Sequence, residues 1–303
     1  MKPTTPAVCL WTPAPVGSRR GNRITSTRWT RLLRAHSCKV QHTNSQPKGG
    51  HLLIALHAVA GREVLLDWQR GPRIAVVTGT DLNGPDCQLA LDTLEKVEAI
   101  VVLQPLDRLR LPAAIRGKTR VILPGVELPA GLAWNPGPDL VAISVGHLRQ
   151  VKEPLTLPQA LGECADWHGV HLGGELEAGW GKRLQGWPRF SWLGEKSRRQ
   201  TLTRMSRASC FVISSQSEGC SNALCEALAL GMPVLASDIP GNRGLLGDDF
   251  PGYFPVGDFS ALARLLHFQP MDRLAEWARP WRVKLSPQRE ATDLCSLLEE
   301  VCC

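Results

Sequence analysis

Short apolar runs alternate with stretches of helical periodicity along most of the chain, and the runs tend to end in Gly, Ser, Thr, Asp or Pro. Val8–Thr12, Leu52–Leu56, Arg73–Val77, Val97–Leu103 and Arg120–Leu123 read as strands buried on both faces, because none alternates apolar with polar positions. A second series follows with Leu140–Val145, Val170–Gly174, Phe190–Glu195, Cys210–Ser214 and Val234–Ala236. Between them lie helical patterns: Trp29, Leu32 and Leu33 share one face, and Thr201–Ala208, Ser221–Leu230, Ala261–Leu266, Leu274–Val283 and Arg289–Val301 follow. Gln41–Gly50 is polar and reads as a loop, and Asp238–Gly247 as a glycine-rich turn. Gly131–Pro138, rich in Pro and Gly, reads as an interdomain linker. The alternation predicts two α/β domains, each with a doubly wound parallel sheet.

The length of 303 residues suits two domains, and no apolar run approaches a membrane span. Met1–Pro6 offers no apolar segment for a signal peptide, so a cytoplasmic protein is expected, with no membrane partner. The ten cysteines include no C-x-x-C pair, and Cys302–Cys303 has no zinc-site context, so reduced thiols are expected. Charge changes the picture more. Residues 1–62 hold ten Lys or Arg and no Asp or Glu, so the rest carries −3 of a net +7. Such asymmetry predicts an anionic partner near the N-terminal segment. Nucleic acid is disfavoured, because the aromatic and glycine patterns of RNA-binding modules are missing.

Candidate chemistry gathers at strand ends, where open α/β sheets bind ligands. Val8–Thr12 leads into Gly17-Ser18-Arg19-Arg20-Gly21-Asn22-Arg23 and then a helix, an arrangement that offers backbone N–H groups and a helix N-terminus to an anion. Its glycine spacing fits neither a dinucleotide fingerprint nor a P-loop. A turn with solvated arginines is the plain alternative. Leu52–Leu56 ends at His57, and Arg73–Val77 at Thr78-Gly79-Thr80-Asp81, with Thr80 and Asp81 expected to line a cleft. In the second half, Cys210–Ser214 leads through Glu218 to a helix with Ser221 as N-cap and Gly231 just past its end. Glu218 and Glu226 are thus two carboxylates beside a strand end; a capping and a solvated glutamate are the alternative reading.

The E-x7-E spacing of Glu218 and Glu226, set within Ser217-Glu218-Gly219 and Glu226-Ala227-Leu228-Ala229-Leu230-Gly231-Met232-Pro233-Val234, resembles the retaining glycosyltransferases of family 4. The whole chain is similar to one subgroup, the selenosugar synthases of selenoneine biosynthesis. Thr12-Pro13-Ala14-Pro15, Gly17-Ser18-Arg19, Gly21-Asn22-Arg23, Arg28-Trp29, Ala55-Leu56-His57-Ala58 and Thr78-Gly79-Thr80-Asp81-Leu82 carry this likeness in the first half. Gly146-His147-Leu148-Arg149, Val151-Lys152-Glu153-Pro154, Trp192-Leu193-Gly194-Glu195, Ile239-Pro240-Gly241-Asn242 and Pro251–Asp258 carry it in the second.

The resemblance implies a GT-B fold: two Rossmann-like domains facing a central cleft. Residues 1–134 would bind the acceptor, joined by a returning C-terminal helix at 285–303, and 135–284 would bind a nucleotide sugar. Pro251–Asp258 would be a short hairpin-like segment. It further implies transfer of a sugar from UDP-GlcNAc, or a related UDP-sugar, to selenophosphate, without cofactor or metal. Catalytic roles fall on Glu218, facing donor-sugar hydroxyls, and on Arg149 and Lys152, holding the diphosphate. Where the family has arginine after the strand-end glycine this chain has His147, and Arg149 supplies the cation. Glu226 would bind ribose, with Gly219, Cys220, Ser221, Asn222, His147 and Gly194 completing the donor site. Gly17, Arg20, Gly21, Asn22 and Arg23, with Thr80 and Asp81, would bind the acceptor, consistent with the charge asymmetry. No Asp-x-Asp metal motif lies at a strand end, and Asp248-Asp249 reads as an exposed turn. Rival readings are a glycosyltransferase acting on a carbohydrate or lipid hydroxyl, a non-catalytic binding subunit, and a nucleic-acid binder.

Overall fold

A computed structural model describes residues 7–18 and 20–302; Met1–Pro6, Arg19 of the first glycine loop and Cys303 of the terminal pair lie outside the described residues. The chain divides into two compact units, residues 1–125 with 287–303, and residues 126–286. The sequence places these switches at 134/135 and 284/285. They shift because the supposed linker packs on the second unit: Val126 N–H donates to Leu285 O (2.7 Å), and Trp134 donates through its backbone to Leu230 O (2.9 Å) and through its indole to Ala208 O (2.8 Å).

The first unit is built on six strands, β1 (Ala7–Trp11), β2 (Lys39–Thr43), β3 (Leu52–Leu56), β4 (Arg73–Val76), β5 (Ala99–Val102) and β6 (Thr119–Val121). All pairings are parallel, in the order β2-β1-β3-β4-β5-β6. β3 is buried along its whole length, which parallel packing with both faces covered requires. β2 corrects the loop reading of 41–50 at its first three positions, Gln41 to Thr43, and 44–50 form the loop. It pairs only with β1, so its side chains sit at an edge and stay polar, and no apolar run marks it.

The second unit holds β7 (Leu140–Val145), β8 (Trp167–Leu172), β9 (Phe190–Trp192), β10 (Cys210–Ile213), β11 (Val234–Ser237) and β12 (Tyr253–Phe254). Its order is β12-β11-β10-β7-β8-β9, again all parallel. Three readings are corrected here. Asp238–Gly247 contains a helix, Pro240–Leu246, with Pro at its first turn and the buried Asn242 amide donating to Ser237 O (2.8 Å). Pro251–Asp258 is no hairpin, because β12 runs parallel to β11, with Tyr253 opposite Ala236. The Leu274–Val283 helix is broken at Pro280 into Met271–Ala278 and Trp281–Lys284.

The Pro287–Cys302 helix belongs to the first unit, and Glu290 fixes it there. The Arg28 guanidinium grips the Glu290 carboxylate at 2.7 and 2.9 Å, and the Trp29 indole donates to it at 2.8 Å. The carboxylate is fully buried, so its charge depends on these three donors. Glu290→Ala leaves a largely buried guanidinium and an indole N–H without their acceptor. The expected loss is about 3–5 kcal/mol of unfolding free energy, read by urea denaturation; a loss within about 0.5 kcal/mol, the range of an ordinary surface substitution, overturns this role.

Candidate functional site

Each sheet has one place where the strand order reverses. In the second unit the chain winds β7-β8-β9 outward, then returns to place β10 on the other side of β7. Phe211 of β10 pairs with Ile143 of β7, so the loops leaving these two strands diverge over a crevice. From β7 the loop runs Gly146-His147-Leu148-Arg149 into a one-turn 3-10 helix, Gln150–Lys152. From β10 it runs Ser214–Gly219 to Ser221, whose hydroxyl caps the Asn222–Leu230 helix by accepting from Leu224 N–H at 3.4 Å. Gly231 ends that helix at φ +80°, the left-handed conformation that favours glycine.

The two loops are tied together. Ser214 Oγ donates to the carbonyls of Lys152 (2.9 Å) and Glu153 (3.0 Å), and Gln216 N–H to Val151 O (2.9 Å). Across this seam the Lys152 ammonium contacts the Glu218 carboxylate, which also accepts from Ser215 Oγ at 2.7 Å. Glu218 is held from behind: a Cβ on Gly241 would lie 2.2 Å from its carbonyl oxygen, so only glycine lets the Pro240–Leu246 helix approach. The buried Ser237 hydroxyl donates to Ser215 O at 2.6 Å.

The structure therefore brings Lys152 to Glu218, and distributes the other expected donor residues nearby. Arg149 pairs with Glu177 at 3.4 Å, an exposed contact, while Glu177 also accepts from Gln150 N–H at 2.7 Å. That backbone donor, first among several, holds the Glu177 carboxyl below its usual range. Glu226 lies on the helix and accepts from Arg198 at 3.0 Å, whose other arm reaches Glu127 O at 2.8 Å. Gly219 is buried; Cys220 and Asn222 flank Ser221, both half-buried. Gly194 follows β9, and its carbonyl accepts from Gly173 N–H at 3.0 Å. His147 is half-buried directly after Gly146.

His171 was not singled out from the sequence, since an internal strand histidine carries no signal. It is buried under the crevice, with Nδ1 2.7 Å from Ser144 Oγ and Nε2 2.9 Å from Gly146 O. Nε2 therefore carries the proton and fixes the strand-end carbonyl, while Nδ1 accepts from the serine. Burial pushes the imidazole down to about 4.

In the first unit β1 lies between β2 and β3, so the reversal falls between β1 and β3. Gly17, Arg20, Gly21 and Asn22 follow β1, largely exposed, and Arg20 is the N-cap of the Gly21–Ala35 helix. No side chain among the described residues caps that helix start. Arg23, half-buried one turn in, has a buried Nη1 with no hydrogen-bond partner among the described residues. Its charge helps to lower His42 to about 4, after burial as the main cause and together with Arg34.

Asp81 takes a different place from the one expected. Its side chain is fully buried and accepts from the N–H groups of Ala58 (3.0 Å), Val59 (3.1 Å) and Thr78 (2.8 Å). It braces the loop after β3 instead of lining a surface. The residue it presents is His57, whose Nδ1 lies 2.7 Å from Asp81 and whose Nε2 lies 2.8 Å from Thr80 Oγ1. His57 holds φ +78°, a conformation costing about 1–2 kcal/mol for a residue with a Cβ. Strain held by a buried carboxylate at a reversal point marks His57 as a functional candidate. The sequence signal was a histidine ending an apolar run.

Residues 134–267 match the family model for glycosyl transferases group 1. Solved structures align over both units. Anabaena HepE in complex with UDP and glucose is 15% identical, with TM-score 0.74, over 97% of this chain and 99% of its own. Sucrose-phosphate synthase from Thermosynechococcus elongatus is 16% identical, with TM-score 0.77, over 97% and 98%. A glycosyltransferase from Rickettsia africae is 13% identical, with TM-score 0.77, over 98% and 99%. At such identities the likeness establishes the fold, the GT-B pair of Rossmann-like domains.

One pH dependence follows from His171. Unfolded, it titrates near 6.5; folded, near 4. Between these values the unfolded chain binds a proton that the native one does not, so stability falls as pH drops from 6.5 to 4. His171→Gln, whose amide can still donate to Gly146 O, removes this proton uptake. Between pH 7 and 4.5 the variant should lose roughly 2–3 kcal/mol less unfolding free energy than the parent, as measured by urea denaturation; equal losses overturn the assignment.

Proposed function

We propose that this chain, a group 1 glycosyltransferase by its second unit, transfers a sugar from UDP-GlcNAc or a related UDP-sugar to selenophosphate. The donor side rests on the β7/β10 crevice. Lys152 and Arg149 supply the positive charge that offsets the charge growing on the departing diphosphate. The N–H groups from Gly219 to Asn222 add the start of the capped helix. Glu218 binds hydroxyls of the sugar and Glu226 the ribose, each exchanging its present cation partner for substrate.

The observation that carries the acceptor assignment is Arg23. A cationic Nη1 is buried with no partner among the described residues, beside a helix start that none of their side chains caps, in a segment without a single acidic residue. An unpaired buried guanidinium N–H is costly, and a small, highly charged anion would satisfy it and the first-turn N–H groups together. Arg20, at the helix N-cap, adds a second cation, and Gly17, Gly21 and Asn22 shape the loop. Selenophosphate fits that chemistry; a neutral sugar hydroxyl does not use it.

In the reaction the selenium attacks the anomeric carbon, the bond from that carbon to the diphosphate oxygen breaks, and UDP leaves with the electron pair. Water then cleaves the P–Se bond, giving inorganic phosphate and a selenosugar. Selenium is nucleophilic at neutral pH, so this step needs less help from a base than attack by a hydroxyl. The reaction is proposed without metal or cofactor. No helix among the described residues is long and apolar enough to cross a membrane. Under this proposal the reaction belongs to selenoneine biosynthesis and the enzyme to the cytoplasm.

One observation favours the second reading, a carbohydrate or lipid hydroxyl acceptor. The His57–Asp81 pair resembles what a hydroxyl would need as a base. The test separates the two. The protein is incubated with UDP-GlcNAc and selenophosphate, without added metal, and the products are read by mass spectrometry. UDP together with a sugar bearing the selenium isotope pattern is the expected result. The Arg20→Ala, Arg23→Ala double variant should lose at least about 100-fold in kcat/KM for selenophosphate, the scale of removing a charge-stabilising group, with UDP affinity retained. His57→Ala should lose less than tenfold. UDP binding without selenosugar overturns the acceptor, and a loss on the order of 100–10,000-fold in His57→Ala with a hydroxyl acceptor establishes the alternative.

A further inference from the structure

Two cysteines lie on the loop and helix that follow β10, and neither reading of the acceptor uses their side chains. Cys220 immediately precedes the N-cap Ser221, and Cys225 is the fourth residue of the Asn222–Leu230 helix. These are the N′ and N4 positions, whose side chains meet across the first helical turn, commonly as an apolar staple. Here the staple is a pair of thiols. Their sulfurs lie 3.7 Å apart, in van der Waals contact. Cys225 is buried and Cys220 half-buried, so Cys220 is the sulfur that a reagent from solvent meets first.

We propose that Cys220 and Cys225 form a reversible disulfide under two-electron oxidants such as peroxide, and that this cross-link closes the donor site. A disulfide needs its sulfurs about 2.05 Å apart, so the pair closes by roughly 1.7 Å, within reach of a side-chain rotation and a small loop movement. Cys220 attacks one peroxide oxygen; the O–O bond breaks, and the departing hydroxide leaves as water with the thiol proton, giving a sulfenic acid. Cys225 then attacks the Cys220 sulfur; the S–O bond breaks, and a second water leaves with the Cys225 proton. One peroxide is consumed, two waters form and two thiols become one disulfide.

Position makes the bond consequential. Cys220 is two residues past Glu218, and Cys225 directly precedes Glu226 in the sequence. The cross-link therefore pulls on the loop between the two carboxylates, and on the N–H groups from Gly219 to Asn222. Gly241 leaves no room behind Glu218 for that loop to retreat. The effect on donor binding rests on the reading of this crevice as the UDP-sugar site; formation of the bond does not.

The experiment treats the full chain with peroxide and follows two readouts. Peptide mapping without reductant should show a 220–225 cross-link, two hydrogens lighter than the dithiol form and reversed by dithiothreitol. In Cys225→Ser the reaction should stop at the Cys220 sulfenic acid, which dimedone labels, while the parent resists that label. Calorimetry should show UDP affinity falling at least tenfold in proportion to the cross-linked fraction, and returning on reduction. Equal dimedone labelling of parent and variant overturns the disulfide. A complete cross-link with unchanged UDP affinity overturns its control of the site. If the reduced protein does not bind UDP, the donor reading fails, while the mapping still decides the disulfide.

Discussion

The contact between Lys152 and Glu218 joins the two loops that define the second unit's crevice, and the local structure is arranged to hold it. Lys152 comes from a one-turn helix that could not hold a position alone; its carbonyl is pinned by Ser214 from the opposite loop. Glu218 is pressed from behind by a helix that approaches through Gly241 and steadied in front by Ser215. The parallel sheet makes such a junction available. Strand order reverses at one place only, and there alone do two adjacent loops diverge instead of crossing the same face. A cation and a carboxylate in mutual contact hold each other, and the two loops, in place.

The first unit solves a different problem on a similar frame. Among the described residues its reversal point shows no lysine–carboxylate contact of that kind, and acidic residues are absent from the segment that supplies the loop. Where the second unit pairs its cation, the first leaves an Arg23 nitrogen buried without a described partner. The buried Asp81 carboxylate is consumed in bracing backbone N–H groups and the His57 ring, and the buried Glu290 carboxylate in holding Arg28 and Trp29. The positive field therefore remains for an anion to answer. The fold is shared, but the two reversal points differ in their electrostatics: a cation in contact with a carboxylate in one, an arginine nitrogen without a described partner in the other.

Much of this was legible in the residues. Strands buried on both faces read as apolar runs, and Leu52–Leu56 and Leu140–Val145 have the bounds their sequences announce. The Ser221 cap and Gly231 terminus follow from local chemistry that acts within a turn. What was not legible depends on partners far away in sequence. Edge strand β2 has only one neighbour, so nothing forces its side chains to be apolar. Asp238–Gly247 holds three glycines yet forms a helix, because the buried Asn242 and the approach to Glu218 outweigh propensity. The expected linker at 131–138 follows composition, whereas the boundary follows the hydrogen bonds of Val126 and Trp134.

The candidate site shows the same division. The carboxylate pair Glu218 and Glu226 could be found by spacing on a strand–loop–helix unit. That Glu226 would meet Arg198, and Arg149 would meet Glu177, could not, since each pair joins positions 28 residues apart in sequence. Asp81 was identified by position at a strand end, but a carboxylate there can face solvent or turn inward, and only the neighbouring N–H groups decide. Three converging donors decided for burial, and they leave His57, not Asp81, as the chemically available side chain. A strand-end motif thus locates the region where chemistry happens, while the hydrogen-bond accounting of the folded chain selects which of its residues is free to perform it.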